Sequence, residues 1–138
     1  MDEHPRGPRD PLHEGITQPL INELVHKFYE KIQNHETLGP IFNDAIKDNW
    51  PEHLERMCTF WGAVALKTGA YKGKPVPKHV ALKGVKPDHF KIWLALFRET
   101  AIEVCGLDIG LHFIDRAERI AESLQLAMFF QGTIAPRD

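Results

Sequence analysis

Residues 49–69 read NWPEHLERMCTFWGAVALKTG, and this segment decides the fold class. His53, Met57, Phe60, Trp61 and Val64 recur at the spacing of one helix face, which predicts a long amphipathic helix rather than a strand. Asn49 and Glu52 have the spacing of a capping box, so the helix is expected to start there, and Gly69 ends it. A histidine opens the apolar stripe.

Working outward, the same periodicity repeats on both sides. Thr17 is an expected N-cap, with Ile16 and Ile21 spaced for a hydrophobic staple. The helix that follows carries a stripe of Ile21, Val25, Phe28, Tyr29 and Ile32, opposite Asn22, Glu23, His26, Lys27 and Glu30. In 37–46, TLGPIFNDAI, the Gly39-Pro40 pair leaves room for a helical turn or two. Residues 69–78, GAYKGKPVPK, form an irregular loop, and 78–83 are confined between Pro77 and Gly84 to at most a short helix that His79 opens. A third long helix is expected from Pro87-Asp88 to about Cys105, striped by Phe90, Trp93, Phe97, Thr100, Ala101 and Val104. Asp108 is expected to cap a fourth, striped by Phe113, Ala117, Ile120, Ala121, Leu124 and Met128. With no alternating strand pattern, hairpin signal or internal repeat, the chain is all-α.

Composition narrows the function classes. The chain has 138 residues, 43% of them hydrophobic and 26% charged, which suits one ordinary globular domain. A net charge of −2 argues against a nucleic-acid partner. No apolar run approaches the roughly 20 residues of a membrane span, and the charged, proline-rich start does not resemble a secretory signal. The expected organisation is a flexible tail over 1–15, a domain over 16–131 and a C-terminal tail over 132–138. Cys58 and Cys105, with no CxxC between them, read as reduced thiols of a cytoplasmic protein. Nucleotide-binding, metalloprotease, hydrolase and EF-hand motifs are all missing from the sequence. The six lysines from Lys67 to Lys86 read as a solvated loop face that could also meet an anionic group.

Eight histidines stand out against average composition. His53, on an apolar stripe, is read as either a core residue or a functional one. Tyr29 is equally two-sided, since tyrosine often buries its ring and leaves its hydroxyl wet, and Trp93 reads first as core. His79 sits in a segment too short to bury much apolar surface, so a bond to its imidazole would explain what holds it in place. Zinc fits poorly, because no close pair of ligands accompanies it. Haem needs a single protein ligand and an apolar slot, which the helix stripes can build. His89, His112 and both cysteines are read as structural or solvent-facing.

The landmarks Phe28-Tyr29, LGPIF, Trp50-Pro51-Glu52-His53, Tyr71, PVPKH and Phe90-Lys-Ile-Trp93 occur in an order and at intervals that resemble the group III truncated haemoglobins over roughly residues 16–130. The lack of any Gly-Gly pair favours group III over the other two truncated groups. This resemblance implies a globin-like, two-over-two helical sandwich around haem b. His79 is implied as the proximal iron ligand. Tyr29, His53 and Trp93 are implied as distal ligand-stabilising residues, and His53 is also a candidate sixth ligand. Phe28, Met57 and Trp93 are implied to line the haem cavity, with Tyr71 and the loop lysines as candidates for the propionates.

The implied ligands are O2, NO and CO. Three convergent donors suit O2/NO or peroxide redox chemistry, of an NO dioxygenase-like or peroxidase-like kind, better than bulk oxygen transport. Such turnover needs an external reductase, because the chain carries no flavin or nicotinamide motif. Oxygen storage or sensing without turnover, and a haem-free helical interaction protein, are the alternatives. A monomer or weak dimer is expected.

Overall fold

The computed structural model describes residues 13–66 and 85–129. Helix α1 spans Gln18–Gln33, α2 spans Leu38–Ile46, a 3-10 turn covers Lys47–Asn49, α3 spans Trp50–Leu66 and α4 spans Pro87–Phe129. No strand occurs among the described residues, and none of their helices is long and apolar enough to cross a membrane.

Helix α1 begins as its sequence predicts. Thr17 is extended, and its side-chain oxygen accepts a hydrogen bond from the Leu20 N–H at 3.3 Å. The buried face is Ile21, Leu24, Val25, Phe28, Tyr29 and Ile32. Helix α2 is longer than the Gly39-Pro40 pair suggests. The pair lies in the first turn, where proline has no helical N–H bond to lose. His35 holds that turn, its Nδ1 accepting from the N–H groups of Thr37 at 3.0 Å and Leu38 at 3.2 Å. Gly39 is needed because a Cβ there would lie 2.7 Å from the Gln33 carbonyl oxygen at the end of α1.

The expected capping box at Asn49 and Glu52 does not form. Asn49 ends the 3-10 turn and Trp50 is already helical (φ −55°, ψ −44°), so the chain enters α3 without the extended residue that an N-cap requires. The Trp50 indole instead donates to the Asn43 side-chain oxygen at 3.0 Å, tying the start of α3 to α2. Gln18 links α1 to α3, its amide donating to the Cys58 carbonyl at 3.1 Å.

The third and fourth expected helices meet within α4 at Gly106 (φ 84°, ψ 166°), a backbone conformation that favours glycine. The arms, 87–105 and 107–129, approach closely: a Cβ on Gly110 would lie 3.0 Å from the Ala101 carbonyl oxygen. Asp108 does not cap the second arm, because its carboxylate accepts from His13 Nε2 at 3.0 Å.

Helices α1 and α3 and the two arms of α4 make the expected two-over-two sandwich. Phe97 of α4 sits at its centre, 1% exposed. Its ring stacks on Trp61 of α3 at 5.2 Å and on Trp93 at 5.7 Å, and meets Phe28 of α1 edge-on at 5.0 Å. On the outside, Lys31 of α1 reaches Glu99 and Glu103 of α4, each at 2.8 Å. Burial alone would lower the Lys31 pKa, but these two hydrogen bonds carry it above its ordinary value.

Replacing Gly106 with alanine forces a side chain into this backbone conformation. It is expected to cost about 1–3 kcal/mol. Thermal or chemical denaturation of Gly106→Ala beside the parent protein checks it, and equal stability would show that the bend relaxes freely.

Candidate functional site

The periodicity of α1 that buries Ile21, Val25 and Ile32 also turns Tyr29 inward, leaving it 6% exposed. With its ring among apolar neighbours, the phenolate is disfavoured, and burial pushes the Tyr29 hydroxyl well above the ordinary tyrosine pKa. The hydroxyl therefore keeps its proton and is available as a hydrogen-bond donor at any physiological pH.

His53 stands in the first turn of α3, half-buried, while the face that α3 buries is Cys58, Trp61, Gly62 and Ala65 rather than the expected stripe through His53, Met57, Phe60 and Val64. The His53 ring lies edge-on to Tyr29 at 5.0 Å and edge-on to Trp50 at 5.5 Å, and its Nε2 is sealed from solvent. Tyr29 also meets Trp50 at 6.0 Å and Phe42 at 6.2 Å. From the other side Phe28, adjacent to Tyr29 at 5.0 Å, meets the half-buried Trp93 edge-on at 5.4 Å. The tyrosine, histidine and tryptophan singled out from the sequence thus belong to one connected group of rings drawn from α1, α3 and α4.

Beside this group lies a small, partly open apolar pocket of about 40 Å³. Its walls are Leu38, Ile41 and Phe42 from α2, Val85 before α4, His89, Phe90 and Trp93 from the first arm of α4, and Leu124 and Met128 from the second. Phe42 and Trp93 belong both to the cavity wall and to the ring group. The lining is apolar and aromatic with a single histidine, the kind of surface that takes a largely apolar ligand. His89 is the ionisable group of the wall. Its Nδ1 accepts from the Lys86 N–H at 3.0 Å, which shapes the start of α4.

The other expected site residues fall elsewhere. Phe28 is fully buried, one ring behind the Trp93 wall, and Met57 is half-buried against the main core. His79, Tyr71 and the lysines from Lys67 to Lys83 lie outside the described residues. Both cysteines are free. Burial pushes both thiols up, Cys105 to about 11, which suits unreactive packing residues. Phe42 and Trp50 were present in the sequence landmarks without an assigned role, and only the packing of α2 against α1 and α3 reveals them as partners of Tyr29. His89 reaches the cavity through the turn that it stabilises, for which periodicity holds no signal.

No family profile matches the chain. It is 36% identical over 122 residues to a group 3 truncated haemoglobin of Campylobacter jejuni, an alignment that covers 86% of this chain and 96% of the relative. The crystal structure of a group III truncated haemoglobin from Campylobacter jejuni superposes with a TM-score of 0.79 at 36% identity, covering 85% of this chain and 94% of that one.

The burial of Tyr29 is open to direct measurement. In a spectrophotometric titration of tyrosine ionisation, Tyr29→Phe is expected to leave the curve unchanged up to about pH 11, because the native phenol does not ionise in that range. Loss of part of the signal near pH 10 in the variant would show that the hydroxyl is in contact with solvent.

Proposed function

Because the chain belongs to the group III truncated haemoglobins, globin-type haem proteins that bind gases, we propose that it holds haem b through His79 and uses Tyr29, His53 and Trp93 to hold a diatomic ligand for redox chemistry. The observation that carries the reading is the shared position of Phe42 and Trp93, which wall the apolar cavity and touch the same rings that pack around Tyr29 and His53. Haem, when bound, supplies an iron centre with gas affinity and one-electron redox chemistry. The b type is favoured because Cys58 and Cys105 are not arranged as the CxxCH pair of a covalent attachment.

The protein's own residues do the selecting. O2 that gains electron density becomes a stronger hydrogen-bond acceptor than CO, so donors beside it discriminate between the two. The Tyr29 hydroxyl cannot lose its proton in its buried setting. The His53 ring is held edge-on against the rings of Tyr29 and Trp50, which restricts its rotation before a ligand arrives. Trp93 adds an indole N–H from the cavity wall. A hydrogen bond to a charged acceptor is worth about 1.5–3 kcal/mol, or roughly one to two decades in affinity. Three such donors slow release, which suits NO oxidation or peroxide chemistry supplied by an external reductase better than delivery. Tyr71 and the loop lysines are the proposed propionate contacts.

Visible spectra of the haem-loaded protein beside His79→Ala test the assignment of the cofactor and its ligand. The parent is expected to show an intense Soret band with a histidine-ligated ferrous spectrum, altered or lost in the variant. A colourless parent that is folded by circular dichroism would overturn it. Tyr29→Phe is expected to speed O2 dissociation by roughly 10- to 100-fold, by loss of one such bond, with a much smaller effect on CO. Flash photolysis and stopped-flow mixing read both rates.

His53 is also proposed as a sixth ligand that gates entry. If so, CO association accelerates many-fold in His53→Ala. An unchanged rate would leave His53 as a donor only.

A further inference from the structure

Away from the ring group and the cavity, a second set of ligating side chains converges where His13 meets α4 just past its bend. His13, Asp108 and His112 each offer one ligand atom, and these atoms lie within 4.8 Å of one another. The His13 and His112 rings meet edge-on with centroids 5.4 Å apart, and His13 Nε2 is 3.0 Å from the Asp108 carboxylate. Two of the three come from one turn of α4, directly after the glycine bend at Gly106. The third arrives from a turn in which the Ile16 N–H donates to the His13 carbonyl at 3.0 Å and Ile16 is buried in the core. That turn fixes the histidine in place.

We propose that His13, Asp108 and His112 form a binding site for a divalent transition-metal ion of the zinc type, separate from the haem, that clips the N-terminal segment onto the second arm of α4. Two imidazoles and one carboxylate are the donor set of open zinc sites, in which water takes the fourth position. Metal–ligand bonds of 2.0–2.2 Å in a tetrahedron put donor atoms about 3.4 Å apart. His13 Nε2 and the Asp108 carboxylate, 3.0 Å apart, need to part by only about 0.4 Å to reach that spacing. The rest of the closure is a side-chain rotation on the solvent side, where the Asp108 side chain is 85% exposed.

The hydrogen bonds specify what must change when the ion arrives. The Gly15 N–H donates to His13 Nδ1 at 2.8 Å, so in the metal-free protein the ring proton sits on Nε2 and is directed at Asp108. Ligation at Nε2 moves that proton to Nδ1, with no net release, and the exposed Gly15 N–H turns to water. The metal therefore replaces a proton bridge between the same two residues. Without it, the His13–Asp108 hydrogen bond makes a weaker form of the same clip.

The test uses full-length, haem-loaded, CO-bound protein, which is diamagnetic, with Zn2+ as the probe. Calorimetric titration is expected to show one ion per chain with micromolar affinity. Long-range proton–nitrogen correlation spectra are expected to show the His13 ring proton moving from Nε2 to Nδ1 on saturation. Asp108→Asn keeps an acceptor for His13 and sits on an exposed side chain, so it leaves the fold intact and is expected to weaken Zn2+ at least about tenfold. His112→Ala is expected to do the same, and His26→Ala, on the exposed face of α1, is expected to do nothing. Unchanged Soret bands in every variant separate this result from any failure of haem binding. Absence of a saturable one-to-one event, or wild-type affinity in Asp108→Asn and His112→Ala, would overturn the proposal.

Discussion

Phe97 is packed on three sides by rings from α1, α3 and its own helix, and the rest of the architecture follows from keeping it there. Stacking on Trp61 fixes the separation of α3 and α4, stacking on Trp93 one turn away holds the Phe97 ring in place, and the edge-on contact with Phe28 fixes the rotation of α1. Aromatic pairs in such arrangements add roughly 0.5–1.5 kcal/mol each beyond the area they bury. Once α1 is rotated to present Phe28 to Phe97, the next residue, Tyr29, can only face α3 and α2. The orientation of the phenol is thus a consequence of core packing, and its burial is what secures the proton on it.

The same rings divide the interior in two. On one side is the close-packed core of Ile21, Leu24, Ile32, Phe97, Ala101 and Phe113, all at 1% exposure or less. On the other is the cavity whose wall includes Trp93 and Phe42. Trp93 faces both, stacked on the core through Phe97 and open to the cavity. The Trp93 side of the pocket is thus held by packing between helices. Around the periphery, short polar devices set the helix ends: Thr17 for α1, His35 for α2, Trp50 with Asn43 for α3, and the Lys86–His89 turn for α4. Histidine serves as a backbone cap at two of these, which accounts for part of the high histidine content without invoking chemistry.

Legibility in the sequence followed the range of the interaction. The four long helical segments were readable because each buries a continuous face, and burial of one face leaves a period of 3.6 in the residue types. The Phe28-Tyr29, His53 and Trp93 positions were readable for the same reason, helped by their resemblance to a known family. Helix starts were less readable. Asn49 and Glu52 had the right spacing, but the chain arrives at them already helical from the 3-10 turn, and a cap needs an extended residue. Asp108 had the right position, but a histidine far away in sequence took its carboxylate.

By itself the sequence determined the helical class, the buried faces of α1 and of both arms of α4, a break between Cys105 and Asp108, and the candidacy of Tyr29, His53, His79 and Trp93, because all of these depend on near neighbours along the chain or on the chemistry of a single side chain. In α3 the expected stripe kept only Trp61, and the buried face is Cys58, Trp61, Gly62 and Ala65. Only the tertiary structure decided which rings touch. It brought Phe42 and Trp50 to Tyr29, opened the cavity between α2 and the two arms of α4, and set His13 beside Asp108 and His112. These are contacts between segments far apart in the chain, made by the angles at which helices pack. Those angles are selected by the fit of whole faces, Phe97 at their centre, and no local pattern of residues encodes them.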